Sequence, residues 1–106
     1  MDERQFEVLA GEALRAIERA LDQSGVDADF ELKEGAVLEL EFGNGSKIIV
    51  NRHGAAQEIW VAARSGGFHF RWDGAVWRDT RDGAELFAAL SKLVSAQSGT
   101  GVILAA

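Results

Sequence analysis

The pattern of apolar and polar residues predicts a helix at each end of the chain, with a run of strands between them. Over residues 3–23, apolar residues recur at three- and four-residue spacing, which is typical of a helix with one buried face. Asp2 is the expected N-cap, and Ser24-Gly25 is expected to end this helix. A second set of apolar residues at helical spacing follows Asp82. Asp82 is the expected N-cap of a helix that runs to about residue 97.

Between these helices the apolar residues recur with a period of two, the spacing of strands with one buried face. Strands are predicted over residues 26–33, 38–42, 47–51, 58–64, 68–72 and 75–78. Asn44-Gly45 is the strongest hairpin signal, since type I′ turns require a positive φ at both central residues. The side chains predicted to point toward the helices are those of Phe30, Leu38, Leu40, Phe42, Ile48, Val50, Ile59, Val61, Phe68 and Phe70.

These elements predict a single α+β domain over residues 1–106. Two helices are expected to pack on one face of a roughly six-stranded antiparallel sheet, which makes a two-layer sandwich. The other face of the sheet is expected to meet solvent. A short apolar tail at residues 102–104 is expected to pack on the domain.

Composition and charge exclude several classes of function. The formal net charge of −6 argues against nucleic acid as a partner and favours cations or a basic protein. No Cys is present, so disulfides, thiolate metal sites and thiol nucleophiles are excluded. No run approaches the ~20 apolar residues of a membrane span. The first residues are acidic where a signal peptide would be basic, so we expect a cytoplasmic protein with no membrane association.

Carboxylates cluster in the first helix and in the strand that follows it. In the helix they project within one sector beside the apolar face, and in the strand they alternate with apolar residues. If these elements are neighbours, the carboxylates form one anionic ridge, whose oxygens suit hard cations; the alternative is an acidic face that is only solvated. The residues of this acidic ridge are Glu3, Glu7, Glu18, Asp22, Asp27, Asp29 and Glu31.

A second candidate site lies on the predicted open face of the sheet. Trp60 is expected to point to solvent there, on the same side as Ile49 and Asn51. An exposed Trp beside such residues is typical of a protein-binding surface. The alternatives are that a loop covers Trp60 or that the register differs by one residue. His53 and His69 stand alone in the sequence, and we predict no functional role for either.

Three segments carry a family resemblance that extends over essentially the whole chain. Residues 44–52 read N-G-S-K-I-I-V-N-R, residues 58–62 read E-I-W-V-A, and residues 65–70 read S-G-G-F-H-F. Trp77 and the closing helix follow in the same order. On these segments the chain resembles the bacterial frataxin family of CyaY-like iron-binding proteins.

The resemblance implies a regulator of iron–sulfur cluster assembly rather than an enzyme. It implies weak binding of Fe(II) or Fe(III) on the acidic ridge, with other divalent or trivalent cations as surrogates. It also implies docking on a cysteine desulfurase and its scaffold protein, through the ridge and the sheet face around Asn51 and Trp60. A monomer is implied, with oligomers possible when iron is bound. Arg19 and Gln23 stand where related members often carry acids, which implies a thinner ridge.

Two other functions stay open at the level of sequence. An iron-storing or iron-oxidising protein would require a defined site with open coordination positions, whereas the sequence offers scattered carboxylates without histidine partners. An acidic protein-interaction module would use the same carboxylates for electrostatic steering, with incidental metal binding.

Overall fold

The computed structural model describes residues 1–106 and has the predicted two-layer architecture. The elements in chain order are α1 (Glu3–Ser24), β1 (Ala28–Lys33), β2 (Val37–Phe42), β3 (Lys47–His53), β4 (Glu58–Ala63), β5 (Gly66–Trp72), β6 (Trp77–Asp79) and α2 (Leu86–Ser98). The strands form one antiparallel sheet in the order β1-β2-β3-β4-β5-β6. Neither helix is long and apolar enough to cross a membrane.

The core lies between the two helices and one face of this sheet. Of the side chains predicted to point inward, those in β2, β3 and β4 and Phe70 in β5 are buried, while Phe30 and Phe68 are half-buried and pack against the core. The predicted register is therefore confirmed. Phe6 of α1 makes an edge-to-face contact with Trp77 of β6, with ring centroids 6.0 Å apart. The opposite face of the sheet is not covered by either helix and carries the polar side chains.

The start of α1 matches its prediction, whereas the start of α2 does not. The Asp2 side chain accepts a hydrogen bond from the Gln5 backbone, and the Gln5 side chain accepts one from the Asp2 backbone, which makes a capping box. In α2 the N-cap is Glu85, whose carboxylate accepts from Phe87 N and Ala88 N. The prediction of Asp82 as cap is wrong because the chain is still turning there, and its carboxylate accepts from Ala84 N.

The Asn44-Gly45 turn also differs from its prediction. Only Gly45 has a positive φ there, at 85°, so the turn is not of type I′. The two consecutive positive φ values occur instead in the β1–β2 turn, at Glu34 (54°) and Gly35 (65°). The Asn44 side chain is then free to reach α2, where its Nδ2 donates to the Gln97 carbonyl at 2.9 Å.

Gln97 joins α2 to two turns of the sheet. Its side chain is buried, its Nε2 donates to Ser46 Oγ (3.0 Å) and to the Lys47 carbonyl (3.1 Å), and its Oε1 accepts from Arg64 N (3.0 Å). Buried polar groups are costly unless they are paired, and this amide is paired on both ends. One side chain thus fixes the β2–β3 and β4–β5 turns to the same helix.

The apolar tail packs on α2, as predicted. Val102 and Leu104 are buried, whereas Ile103 between them is 86% exposed. Ser95 Oγ accepts from Val102 N and Ser91 Oγ accepts from Leu104 N, both at 2.8 Å. Two hydroxyl groups one helical turn apart thus hold the tail against α2.

We predict that Gln97→Met lowers the free energy of unfolding by about 2–3 kcal/mol, although Met has a similar volume. The substitution removes the partner of the Lys47 carbonyl and of Arg64 N, two part-buried hydrogen bonds, and places no polar group in the buried position of Gln97. Urea unfolding followed by circular dichroism measures the change, with Lys92→Met on the exposed side of α2 as the matched control. Equal stability of the two variants would contradict the anchoring role of Gln97.

Candidate functional site

The structure brings together only part of the acidic ridge predicted from sequence. Glu18 and Asp22 lie in the last turns of α1, and Asp29 and Glu31 are exposed on β1, which α1 contacts. Asp27 was predicted within the first strand but lies just before it, since β1 begins at Ala28. The helix and strand members therefore lie at the same edge of the sandwich.

Glu3 and Glu7 are not part of this group. Both are exposed in the first turns of α1. The rise of an α-helix places Glu7 about 16 Å along the axis from Glu18. If Glu3 and Glu7 bind a cation or a partner, they therefore do so at a second place, separate from Glu18 and the carboxylates of β1.

The pairing of β1 with β2 adds two carboxylates that sequence reasoning had left out of the site. Asp29 lies directly opposite Glu41, and Glu31 lies directly opposite Glu39. Opposed Cβ atoms in antiparallel strands are about 5 Å apart, and like charges at these positions destabilise the sheet. We refer to these four residues as the acidic strand face. The alternation of Glu39 and Glu41 with apolar residues was visible in the sequence, but their partners depend on the register of the hairpin.

Lys33 is the cation paired with this face. Its Nζ lies 2.6 Å from Glu39 Oε2. The hydrogen bond and charge of Lys33 lower the pKa of Glu39, and those of Glu39 raise the pKa of Lys33. No ion pair forms at Asp29, Glu31 or Glu41, although Lys47 of β3 lies directly opposite Glu41 in the register of the sheet.

These carboxylates form an open array rather than an enclosed site. No three His, Asp or Glu side chains of the chain come together as a ligand group for a metal ion. A cation on this surface would bind one opposed pair and complete its shell with water. Carboxylate and water oxygens are the ligands of hard cations, so the residues fit Fe(II), Fe(III) and similar ions without selecting strongly among them.

Trp60 lies on the open face of the sheet, between two histidines. It is paired with Asn51 on β3 and with His69 on β5. The His53 ring stacks on the indole with centroids 3.8 Å apart and planes 10° apart, and the His69 ring stacks with centroids 4.5 Å apart and planes 9° apart. Because β3 and β5 flank β4, the two imidazoles cover opposite faces of the indole.

This His-Trp-His stack corrects two expectations. Trp60 is half-buried rather than a freely exposed indole, and the two histidines are not isolated. They are well separated from Trp60 in sequence, but the two hairpins return the chain to the same side of the sheet. The alternation of His69 with apolar neighbours predicts its face, whereas His53 lies beyond the predicted third strand and is the last residue of β3. Only the strand register shows that both contact Trp60.

A buried carboxylate fixes the orientation of the indole. Glu58 is 6% exposed although it lies on the open face of the sheet. Its Oε1 accepts from Trp60 Nε1 at 2.9 Å, its Oε2 accepts from Arg71 Nη2 at 2.7 Å, and His69 Nδ1 lies 3.5 Å from Oε1. Burial by itself raises the pKa of Glu58, but the hydrogen bonds from Trp60 and Arg71, with the charges of Arg71 and His69, lower it overall.

The match to known proteins extends over the whole of this site. A family model described as a frataxin-like domain matches residues 1–100. The chain is 61% identical over 104 residues to the iron-sulfur cluster assembly protein CyaY of Dechloromonas aromatica, which covers 98% of this chain and 99% of that protein. It is 55% identical over 101 residues to the protein of the same name from Cupriavidus pinatubonensis, with 92% and 91% coverage. The solved structure of frataxin from Psychromonas ingrahamii superimposes with a TM-score of 0.91 at 32% identity and covers 100% of both chains.

We predict that Glu58→Gln lowers stability at neutral pH and that this difference from the parent shrinks in acid. The pKa of folded Glu58 lies below its ordinary value of 4.5, so its charged form contributes stability above that pH. This contribution is lost as the pH falls through the folded pKa. Urea unfolding at several pH values between about 3 and 7 measures the effect.

Glu7→Gln, which removes an exposed carboxylate from α1, is the control for that experiment. A Glu58→Gln variant whose stability runs parallel to that of the parent at every pH would show that the Glu58 network does not stabilise the charged carboxylate.

Proposed function

The chain belongs to the frataxin-like family, and we propose that it is an iron-binding accessory protein that regulates iron–sulfur cluster assembly. Its relatives of 61% and 55% identity are iron-sulfur cluster assembly proteins, and they match this chain over nearly its full length. Because the chain contains no Cys, the thiolate ligands of a cluster must come from other proteins. A role in regulation or iron delivery is compatible with this composition.

The observation that carries the iron-binding part of the proposal is the opposition of like charges on β1 and β2. Asp29 with Glu41 and Glu31 with Glu39 repel one another across the hairpin, and the nearby cations are Lys33, which pairs with Glu39, and Lys47, which lies opposite Glu41. A cation placed between an opposed pair removes this repulsion. Binding should be weak because no third protein ligand is held in place and the carboxylates stay hydrated.

The partner-binding part of the proposal assigns two roles to the open face. The net charge of −6 and the acidic ridge attract a basic surface of the cysteine desulfurase or scaffold protein at long range. Trp60 acts at contact, together with Asn51, because its ring is already held in place by two imidazoles and by Glu58. A side chain fixed before binding loses little conformational entropy when a partner packs against it.

An iron-storing or iron-oxidising protein is the less favoured candidate. Oxidation at a carboxylate centre requires several ligands converging on one ion with an open coordination position. The acidic strand face offers pairs on an open surface, so no observation favours that candidate over the regulator.

We predict that the paired variant Asp29→Asn with Glu41→Gln loses most of the weak binding of Fe(II) or of a surrogate such as Mn(II). In the parent, the metal should perturb amide NMR signals over residues 18–31 and at residues 39 and 41 and leave the His-Trp-His stack unchanged. Without metal, Asp29→Asn alone should be more stable than the parent, because it removes the like charge opposite Glu41 and leaves Glu41 opposite Lys47.

The matched control removes two carboxylates elsewhere, as Glu3→Gln with Glu7→Gln. This control should bind metal like the parent. Perturbations centred on His53 or His69, or equal binding by both double variants, would contradict the placement of the metal site.

We predict that Trp60→Ala weakens binding to a cysteine desulfurase with its scaffold by about thirtyfold, or about 2 kcal/mol, mainly through faster dissociation. Neutralising Asp22, Asp27 and Asp29 to Asn should instead slow association and flatten its dependence on salt, because steering by charge acts at long range.

Surface-binding kinetics measures both effects, and circular dichroism verifies that each variant is folded. Ile103→Ala, which removes an exposed apolar side chain from the tail, is the control. If Trp60→Ala dissociates as slowly as this control, the open face is not the docking surface.

A further inference from the structure

A polar notch lies at the edge of β5 that extends beyond its pairing with β6, on the side of the sheet away from the acidic strand face. It has a volume of about 300 Å³ and is lined by Gly67, His69, Thr80 and Arg81. One wall is β5 and the other is the connection between β6 and α2. Thr80 N donates to the His69 carbonyl at 2.9 Å and so holds this connection against β5.

Arg81 in this notch is held in position without an acidic partner. Its Nη2 donates to the Gly67 carbonyl at 2.7 Å, and its guanidinium carbon lies 5.5 Å from the centroid of the Phe68 ring. The ion pairs of the chain involve Lys33, His69, Arg71 and Arg78, so no carboxylate neutralises Arg81. A guanidinium that is already oriented keeps further N–H donors for an incoming acceptor and loses little entropy when it binds one.

The acids closest to Arg81 in sequence are engaged by the backbone. The Asp79 carboxylate accepts from Arg81 N at 2.7 Å, and the Asp82 carboxylate accepts from Ala84 N at 2.9 Å. Both side chains therefore cap turns of the β6–α2 connection. On the other wall Gly67 has no Cβ, and a Cβ there would meet only the Val61 carbonyl, at 4.0 Å. The notch, which both Gly67 and Arg81 line, provides the space for a ligand.

We propose that this notch binds a carboxylate side chain of the protein that docks on the open face. A planar guanidinium forms paired hydrogen bonds with a carboxylate, and the Thr80 hydroxyl and the His69 ring line the same space as further polar groups. A chain with a net charge of −6 repels free anions at long range, so a carboxylate carried on a basic protein has the advantage over a dissolved one. This inference rests on the proposed docking function and adds a second, oppositely charged contact to it.

The two contacts define the orientation of the partner. The acidic strand face on β1 and β2 fits a basic patch of the partner, and the notch beside β5 fits an acidic residue of the partner. Four strand spacings separate β1 from β5, which corresponds to about 19 Å. His69 lines the notch and also stacks on Trp60, so the occupied notch adjoins the aromatic contact. A partner rotated by half a turn would place like charges against each other at both ends.

The first experiment uses the isolated protein and sodium acetate as the probe. Acetate should produce saturable shifts of the amide signals of Gly67, His69, Thr80 and Arg81 beyond those of sodium chloride at equal ionic strength. Arg81→Ala should abolish these shifts, and Arg4→Ala on α1 should keep them. Identical shifts with chloride, or shifts that persist in Arg81→Ala, would overturn the proposal. Binding of inorganic phosphate far more tightly than acetate would also overturn it, because the site would then prefer a free oxyanion.

The second experiment measures dissociation from the desulfurase–scaffold complex. Arg81→Ala should weaken binding about tenfold, and Arg81→Lys should recover only part of this loss, since an ammonium cannot form the paired contact. Arg4→Ala removes the same charge and should bind at least as well as the parent. If Trp60→Ala weakens binding and Arg81→Ala does not, the notch is not a partner contact although the docking function stands. If the parent does not bind at all, the proposed function fails and the notch proposal fails with it, whatever acetate shows.

Discussion

The placement of both helices on the same face of the sheet is the constraint from which the rest of the molecule follows. Each strand must direct alternate side chains into the core, so the remaining side chains are presented together on the opposite face. The acidic strand face, the His-Trp-His stack and the notch at Arg81 are all made of these remaining side chains or of the turns beside them. A slip of one residue in any central strand would move these remaining side chains into the core. Such a slip is unfavourable because it would also expose the apolar side chains that are now buried.

The inward and outward faces of the strands could be predicted from the sequence. Burial of one face gives the apolar residues of a strand a period of two, which is visible in the sequence. The alternation in β2, β3 and β4 gave the face of nearly every residue, and Asp2 and Gly25 gave both ends of α1. The misassigned cap at Asp82 and the misassigned turn at Asn44-Gly45 are local errors of another kind. At Asp82 the chain is still in a local turn, so α2 begins only at Leu86. At Asn44 a tertiary contact decides the outcome, because the side chain donates to the Gln97 carbonyl.

What the sequence could not supply was the identity of cross-strand neighbours. The face of Trp60 and His69 follows from alternation, but that of His53, which lies beyond the predicted third strand, and the contacts among the three depend on the register of two hairpins. The same holds for Glu41 opposite Asp29. Glu58 is the clearest case, because its position on the open face predicts exposure, whereas Trp60 and Arg71 cover it almost completely. A carboxylate on a solvent-facing surface is buried by its neighbours in space, and the periodicity of the sequence does not show which residues those neighbours are.

The charges of β1 have a structural consequence as well as the proposed functional one. β1 is the edge strand of the sheet, with one side of its backbone unpaired, and such edges tend to pair with a second copy of the chain. Exposed Asp29 and Glu31 oppose that pairing by repulsion, since two copies would bring like charges together. A cation that neutralises these carboxylates weakens this protection at the same time as it relieves the repulsion with β2. The proposed metal binding would therefore be linked to association of copies through the same side chains, which gives the expectation of iron-induced oligomers a physical route.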